Sequence, residues 1–335
     1  CRTVVASAWF GVSLPAGHIL IQHEAWLHEV ATPVVPELVA ARVAGYRECC
    51  YGLPEECFPL LFRHPECAGI LISATDLGMF IRRRFAPYGD WQTVIGRILG
   101  FLAGNDSVVP VSWNVPVHPA YAAAGPLPSD AEETAFRDCA AWFRQNMFAV
   151  LHGREYVLEG YSSKVDSAGE QPLSVALRCD CNGEISLVSS LSYVLDGDRE
   201  LKERVDRSRQ ALFRAPYILE QDSTNPMYGG AYFDTIVKSF YGDDCARAAF
   251  GVLLSGELQN EIEYVDDLLR LMCAVYRTTG RNGIRHECLR PGDFSGGRGW
   301  KDYFNEDFRT CRPHYQATTW ALNLQAYVLT GFPDF

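Results

Sequence analysis

Two short stretches set carboxylates just ahead of apolar helical runs. They are "RCDCNGE" at 178–184, carrying Asp180 and Glu184, and "YGDDCARAAF" at 241–250, carrying Asp243 and Asp244. Cleaving a glycosidic bond needs such a supply. One acid protonates the leaving oxygen and a second carboxylate activates water or attacks the sugar, at a separation of roughly 5–9.5 Å that depends on stereochemical outcome. Acids also gather at helix starts for a structural reason, because unpaired N–H groups and the positive end of the dipole favour them. One of Asp243 and Asp244 is therefore expected to cap its helix, leaving the other, Asp244 foremost, for chemistry. In the earlier stretch Asn182 is the expected N-cap, with Glu184 in the first turn. Spacing does not say which acid donates a proton and which accepts one.

Basic and aromatic residues stand close to both acidic starts. Arg178 and Tyr241 precede them directly, and Arg247 follows Asp243 and Asp244 at helical spacing, where it would pair with one of them or hold a substrate carboxylate. Trp300, Tyr303, His314 and Tyr315 fall at or near the last long loop, where flat rings would stack on sugar faces and polar tips would bind hydroxyls. Trp320 reads as core. Other stretches fail as motifs. The histidines of "HEAWLH" at 23–28 are five apart, so they do not share a helix face as zinc ligands must. "DFSGGRGW" at 293–300 lacks the Lys-Ser/Thr pair of a phosphate loop. His286 and Glu287 could form a site pair but read first as solvated loop, and no cofactor or metal is expected.

Those residues need helices to place them. Apolar residues recur at helical spacing in six segments after residue 130. They are Phe136, Cys139, Ala140, Phe143 and Met147; Leu187, Val188, Leu191 and Leu195; Leu201, Val205, Ser208 and Leu212; Ala246, Ala249, Phe250, Leu253 and Leu254; Ile262, Val265, Leu269, Met272 and Tyr276; and Ala317, Trp320, Ala321, Leu324 and Tyr327. Short connections at 196–198 and 256–261 alternate with long ones at 214–240 and 280–313. That is the pattern of helical hairpins in an α-toroid, with inner helices ringed by outer ones and the long loops at one end. The closing "AYVLTGFPDF" stops one helix at Gly331 and reads as entry to another. The chain also opens on Cys1, so it is expected to be incomplete at both ends.

Residues 1–75 carry short β-type runs, "RTVVASAWF", "GHILIQHEAW", "ELVAARVAGY" and "AGILISAT", followed by two expected helices in "TDLGMFIRRRFA" and "DWQTVIGRILGFLAG". From 105 to 129 the Pro-rich text reads as a linker. The fold class expected is therefore multidomain, a partial α/β domain over 1–104 and an incomplete all-α toroid over 130–335. Net charge of −11, with no basic cluster beyond "RRR" at 82–84, argues against nucleic acid. No apolar run is long enough for a bilayer. Twelve cysteines without a C-x-x-C pair read as buried thiols, which points to a reducing, cytoplasmic setting.

Several stretches resemble the six-hairpin glycosidase-like proteins: 158–184, "FYGDDCARAAFGVLL" at 240–254, "RTTGRNGIR" at 277–285, and "GWKDYF" with "PHYQATTWALNLQAYVLTG" within 299–331. "GILISATDLGMFIRRRFAPYGDW" at 69–91 is similar to the end of the amidotransferase-like or trehalose-utilisation-like domain that precedes the toroid in many of them. The resemblance implies an (α/α)6 toroid of twelve helices, about half of it absent here. It also implies a carbohydrate substrate handled by Asp180, Glu184, Asp243 and Asp244. Cys67 precedes a strand instead of sitting on a strand-to-helix elbow, so the N-terminal domain carries no amidotransferase nucleophile. The same toroid serves sugar epimerases and polysaccharide lyases, for which His314 and Tyr315 would matter most, and a non-catalytic carbohydrate-binding scaffold is the third expectation. A partial ring would leave apolar helix faces open to self-association.

Overall fold

The computed structural model describes residues 1–335 apart from 45–48, 106, 115–119, 122–124, 216–217, 262 and 310–311. The chain forms two compact units, Cys1–Gly125 with Tyr161–Pro172, and Pro126–Gly160 with Leu173–Phe335.

The first unit is built on a five-stranded sheet of β1 (Arg2–Val5), β2 (Ile19–Gln22), β3 (Pro36–Ala41), β4 (Cys57–Arg63) and β5 (Leu71–Ser73), in the order β2-β1-β3-β4-β5. All its pairings are antiparallel. Of these strands, β4 was not expected: Pro59 interrupts its apolar run, but the proline is tolerated where β3 and β4 shift register beside it. Val5, Leu38, Ala40, Leu60 and Leu61 form one buried layer with Trp91 and Val94 of helix α1 (Tyr88–Leu102), and Phe80 stacks on Trp91 with centroids 4.4 Å apart. The first of the two expected helices is a short 3-10 segment, Leu77–Arg82, capped by Asp76.

The domain boundary differs from the expected one. A Cβ on Gly96 would lie 2.4 Å from the Val109 carbonyl oxygen, and one on Gly100 only 1.8 Å from that of Ser107, so the segment after α1 packs back along the helix. Val109 N–H donates to the Gly96 carbonyl at 2.9 Å, and Trp113 packs at 5.4 Å from Phe80. The start of the expected linker therefore belongs to the first unit, because glycines on α1 open a groove that holds it.

The second unit starts with α2 (Ala131–Asn146) and a hairpin, β6 (Phe148–Leu151) and β7 (Arg154–Val157), turned at His152 and Gly153, both at positive φ. Then come α3 (Cys179–Asp196), α4 (Arg199–Arg214), a two-residue strand β8 (Phe240–Tyr241), α5 (Gly242–Gln259), α6 (Val265–Arg277), its partner strand β9 (Cys288–Leu289), α7 (Trp300–Phe304) and α8 (Pro313–Thr330). Helices α3, α5 and α8 lie side by side in that order, with α4 against α3 and α6 against α5. On α4, Leu201, Val205, Ser208 and Leu212 are buried as their spacing implied.

The central helices bury other faces than their apolar periodicity suggests. On α3, Leu195 is 66 % exposed while Ser186, Ser189 and Ser190 are buried, and the Ser190 and Ser255 hydroxyls meet at 2.6 Å across the contact with α5. On α8, Gln316, Thr319, Leu322 and Ala326 are buried, while Trp320 is 49 % and Leu324 63 % exposed, so Trp320 is not core. On α6, Leu268, Leu271, Met272 and Val275 are buried and Val265, Leu269 and Tyr276 are exposed; Ile262 lies outside the described residues. The reason is close approach. Small and self-bonding polar residues let helix backbones come together, and that face outcompetes a bulkier apolar one.

The cysteines also differ from expectation. Only Cys179 and Cys245 among the described ones are buried, and none of the eleven is bridged; Cys311 lies outside the described residues. No helix is long and apolar enough to cross a membrane among the described residues.

Candidate active site

Three helix N-termini meet in the second unit. Arg178, the residue before α3, reaches Asp244 in the first turn of α5, donating from Nη2 to Oδ1 at 2.7 Å. A Cβ on Gly242 would lie 3.2 Å from the His286 carbonyl oxygen, 3.4 Å from that of Tyr315 on α8 and 3.5 Å from that of Glu287. A glycine lets those three backbone segments converge closely on the start of α5, where a side chain would crowd the His286 carbonyl first.

Neither helix is capped as expected. Position 241 is the N-cap of α5 and 178 that of α3, and neither makes a side-chain cap bond. Asp243 and Asp244 therefore lie inside the first turn of α5, and Asp180 inside that of α3, where they still gain from the dipole. Asn182 is helical and wholly buried. Its side chain accepts from Val157 N–H at 2.9 Å and from Ser208 Oγ at 2.7 Å, and donates to the carbonyls of Val157 at 3.1 Å and Arg178 at 2.8 Å. It ties β7 to α3 and fixes the backbone from which Arg178 extends.

Arg178 organises the acids. Its Nε and Nη2 hold Asp180 bidentately at 3.0 and 2.8 Å, its Nη1 donates to Glu159 at 2.9 Å, and its guanidinium lies 4.5 Å over the Phe233 ring. Asp180 and Asp244 thus bind one nitrogen, so they stand no farther apart than two hydrogen bonds laid end to end. Both are 2 % exposed. Asp180 also accepts from the Cys181 N–H at 2.9 Å and from Arg247 Nη1 at 3.4 Å, and Arg247 Nε pairs with Glu184 at 3.2 Å.

The two buried acids cannot both be charged cheaply. Burial, then the anions of Asp180 and Asp243, push the Asp244 carboxyl up to about 7 against the opposing pull of Arg178. Glu184 is raised as well, by burial first, with Arg247 opposing. Burial raises the Cys179 thiol and, with Asp180 beside it, lifts Cys181 to about 12, so the cysteines of "CDC" are held as inert thiols. Among the described residues no group of three or more His, Cys, Asp or Glu side chains is placed to hold a metal ion.

Asp243 is half-buried and makes no hydrogen bond or ion pair among the described residues, in contrast to its fully engaged neighbour. Around it the rings form a wall: Tyr241 and Tyr315 are near-parallel at 6.3 Å, Phe233 meets Tyr241 edge-on at 5.1 Å, and His314 packs on Tyr315 at 4.0 Å. Burial first, then the nearby Asp243, Tyr241 and Glu287, push the Tyr315 phenol up, with Arg312 opposing.

Of the residues nominated by sequence, Arg178, Asp180, Glu184, Tyr241, Asp243, Asp244, Arg247, His314 and Tyr315 thus fall on or beside the three converging helix starts. Two do not join them. Tyr303 is 1 % exposed and donates to the Asp293 carbonyl at 2.9 Å, packing against His286 and Phe294, so it is a core residue. Trp300 packs on Phe304 with Arg277 over its ring.

Glu287, with His286 a conceivable site pair, reads first as solvated loop from the sequence. It is half-buried, not solvated, and its carbonyl accepts from the Gly242 N–H at 2.8 Å, while β8 and β9 pair Tyr241 with Cys288. The signal for it was weak: a two-residue strand ladder leaves almost no periodicity to read. The sequence matches no protein-family model and no curated protein.

Proposed function

We propose that the second unit is a glycoside hydrolase-like domain, a section of an (α/α) toroid, that cleaves a glycosidic bond of an oligo- or polysaccharide by carboxylate acid/base catalysis. One observation carries the reading. Two carboxyl groups from different helices share the Arg178 guanidinium, and one of them, Asp244, is pushed to about 7, where it keeps a proton near neutrality. A glycosidase needs that division between a protonated acid and an ionised partner. Asp244 is the proton donor. Asp243, whose carboxylate has no partner among the described residues, activates the attacking water, and Asp180 fixes Arg178 in place. Leaving-group access to Asp244 requires the guanidinium to slide toward Glu159, its other partner. Tyr241 and Tyr315 supply the stacking wall for a sugar ring.

The lyase and epimerase readings draw less support. They need a base at Tyr315 or His314, but burial and the nearby Asp243, Tyr241 and Glu287 push the Tyr315 phenol upward, so it keeps its proton near neutrality. The exposed apolar side chains of α8, among them Trp320, Leu324, Tyr327 and Val328, are the surface through which the unit would self-associate.

The test is release of reducing ends from a panel of oligosaccharides by the wild-type chain and by D243N and D244N. Turnover that both substitutions abolish, with melting temperature within about 2 °C of wild type when measured near pH 4, where Asp244 is protonated, is the expected result. Calorimetric binding without any product would establish a silent carbohydrate-binding scaffold instead, and an unsaturated, ultraviolet-absorbing product would establish a lyase.

A further inference from the structure

We propose that Glu287 is a substrate-contacting, specificity-determining residue of the same site, whose Oε1 accepts a hydrogen bond from a sugar hydroxyl; this rests on the glycoside hydrolase reading. The first ground is position. The Gly242 N–H to Glu287 carbonyl bond of 2.8 Å and the Tyr241–Cys288 pairing lock the residue to the start of α5, next to Asp243 and Asp244.

The second ground is unspent hydrogen-bonding capacity. Among the described residues Glu287 Oε1 is buried without a hydrogen-bond partner, while Oε2 stands 3.5 Å from Arg312 Nη1. Leaving a buried acceptor empty costs about 1–3 kcal/mol, more when it is charged. The same turn repeats the pattern. Arg285 is wholly buried; its Nη1 donates to the Gly242 and Tyr241 carbonyls at 2.6 and 3.1 Å, while Nη2 has no hydrogen-bond partner among the described residues. Nor has His286 Nδ1 among the described residues. Three consecutive residues at the mouth of α5 thus each hold a buried polar atom in reserve.

The third ground is chemical fit. A hydroxyl both donates and accepts, so it satisfies the Glu287 acceptor without needing a formal charge. The near-parallel rings of Tyr241 and Tyr315 stand beside it as an apolar wall, with Glu287 and Arg312 among the charges that the Tyr315 phenol feels. A ring with an apolar face and a hydroxyl-bearing edge is the ligand those two surfaces describe.

The experiment uses maltohexaose, cellohexaose, xylohexaose and trigalacturonic acid as probes, with reducing-end release by wild type, E287A and E287Q. On the probe that wild type cleaves, E287A is expected to raise KM about tenfold to a hundredfold while kcat falls less than about threefold, with E287Q, which keeps an acceptor oxygen, closer to wild type. A KM for E287A within about twofold of wild type overturns the role of Glu287 and leaves the hydrolase reading standing. No cleavage of any probe by wild type overturns both. Should E287A fail to fold, carbodiimide labelling of the wild-type chain decides: saturating probe is expected to protect Glu287, and unchanged labelling overturns the proposal.

Discussion

A Cβ built on Gly183 of α3 would come within 2.4 Å of both the Cα and the carbonyl oxygen of Ala248 on α5. From the other side, one on Gly251 would meet the Gly183 carbonyl at 2.4 Å. The two helices therefore touch backbone to backbone just beyond the acidic turns, and this contact holds Arg178 within reach of Asp244.

Substituting either glycine forces the helices apart. G183A and G251A are each expected to lose about 1–3 kcal/mol by overpacking, outweighing the gain in helix propensity of roughly 1 kcal/mol from Gly to Ala. Urea unfolding with an unchanged m-value checks this; a stability equal to or above wild type would show that the helices do not need this approach.

Arg178 is the counter-ion of a buried, charged Asp180. R178M leaves Asp180 with only the longer Arg247 contact at 3.4 Å and the Cys181 N–H, and a loss of about 3 kcal/mol is expected. Double-mutant cycles sharpen the point: near pH 6, coupling of Arg178 to Asp180 is expected to exceed about 1 kcal/mol and to be larger than coupling to the protonated Asp244. Equal couplings would mean that the proton is not held where the geometry puts it.

The Asp244 carboxyl has a sign that pH can read. Its folded value is raised from 3.8 to about 7, so the native state binds a proton that the unfolded chain has already lost in that interval. Its stabilising share is full below about pH 4 and disappears as pH climbs through about 7. D244N mimics the neutral acid, and its melting temperature is expected to decline less than that of wild type between about pH 4 and about pH 8. Parallel melting curves for the two proteins would contradict the assignment.

The exposed face of α8 makes a separate claim. If Trp320, Leu324 and Tyr327, at 49, 63 and 47 % exposure, drive association of the unit, sedimentation velocity will show a concentration-dependent dimer that L324Q together with Y327Q reduces at least threefold. A wild-type chain that sediments as a monomer at high micromolar concentration ends that idea.

Much of the architecture was legible because it rests on local rules. Acids followed by apolar runs marked the starts of α3 and α5, Asp198 before α4 and Gly197 after α3 marked a tight turn, and alternating β-type runs marked β1, β2, β3 and β5. Gly331, left-handed at φ 67°, closes α8 where the text broke. What local rules misjudged was which face of a central helix turns inward: Leu195 and Trp320 are large enough to look like core, yet the serines and glycines beside α5 won the interior because only they allow contact that close.

The sequence alone determined where carboxylates, arginines and tyrosines stand along the chain, and that several of them open helices. Only the tertiary structure decided that Asp180 and Asp244, far apart in the chain, share one guanidinium, that the Asp243 carboxylate has no partner among the described residues, that Tyr303 is core, and that Glu287 joins the same turn. The physical reason is that a helix start is set by neighbours in the chain, whereas a raised carboxyl or an unspent acceptor is set by what burial removes from water, and burial belongs to the packed molecule.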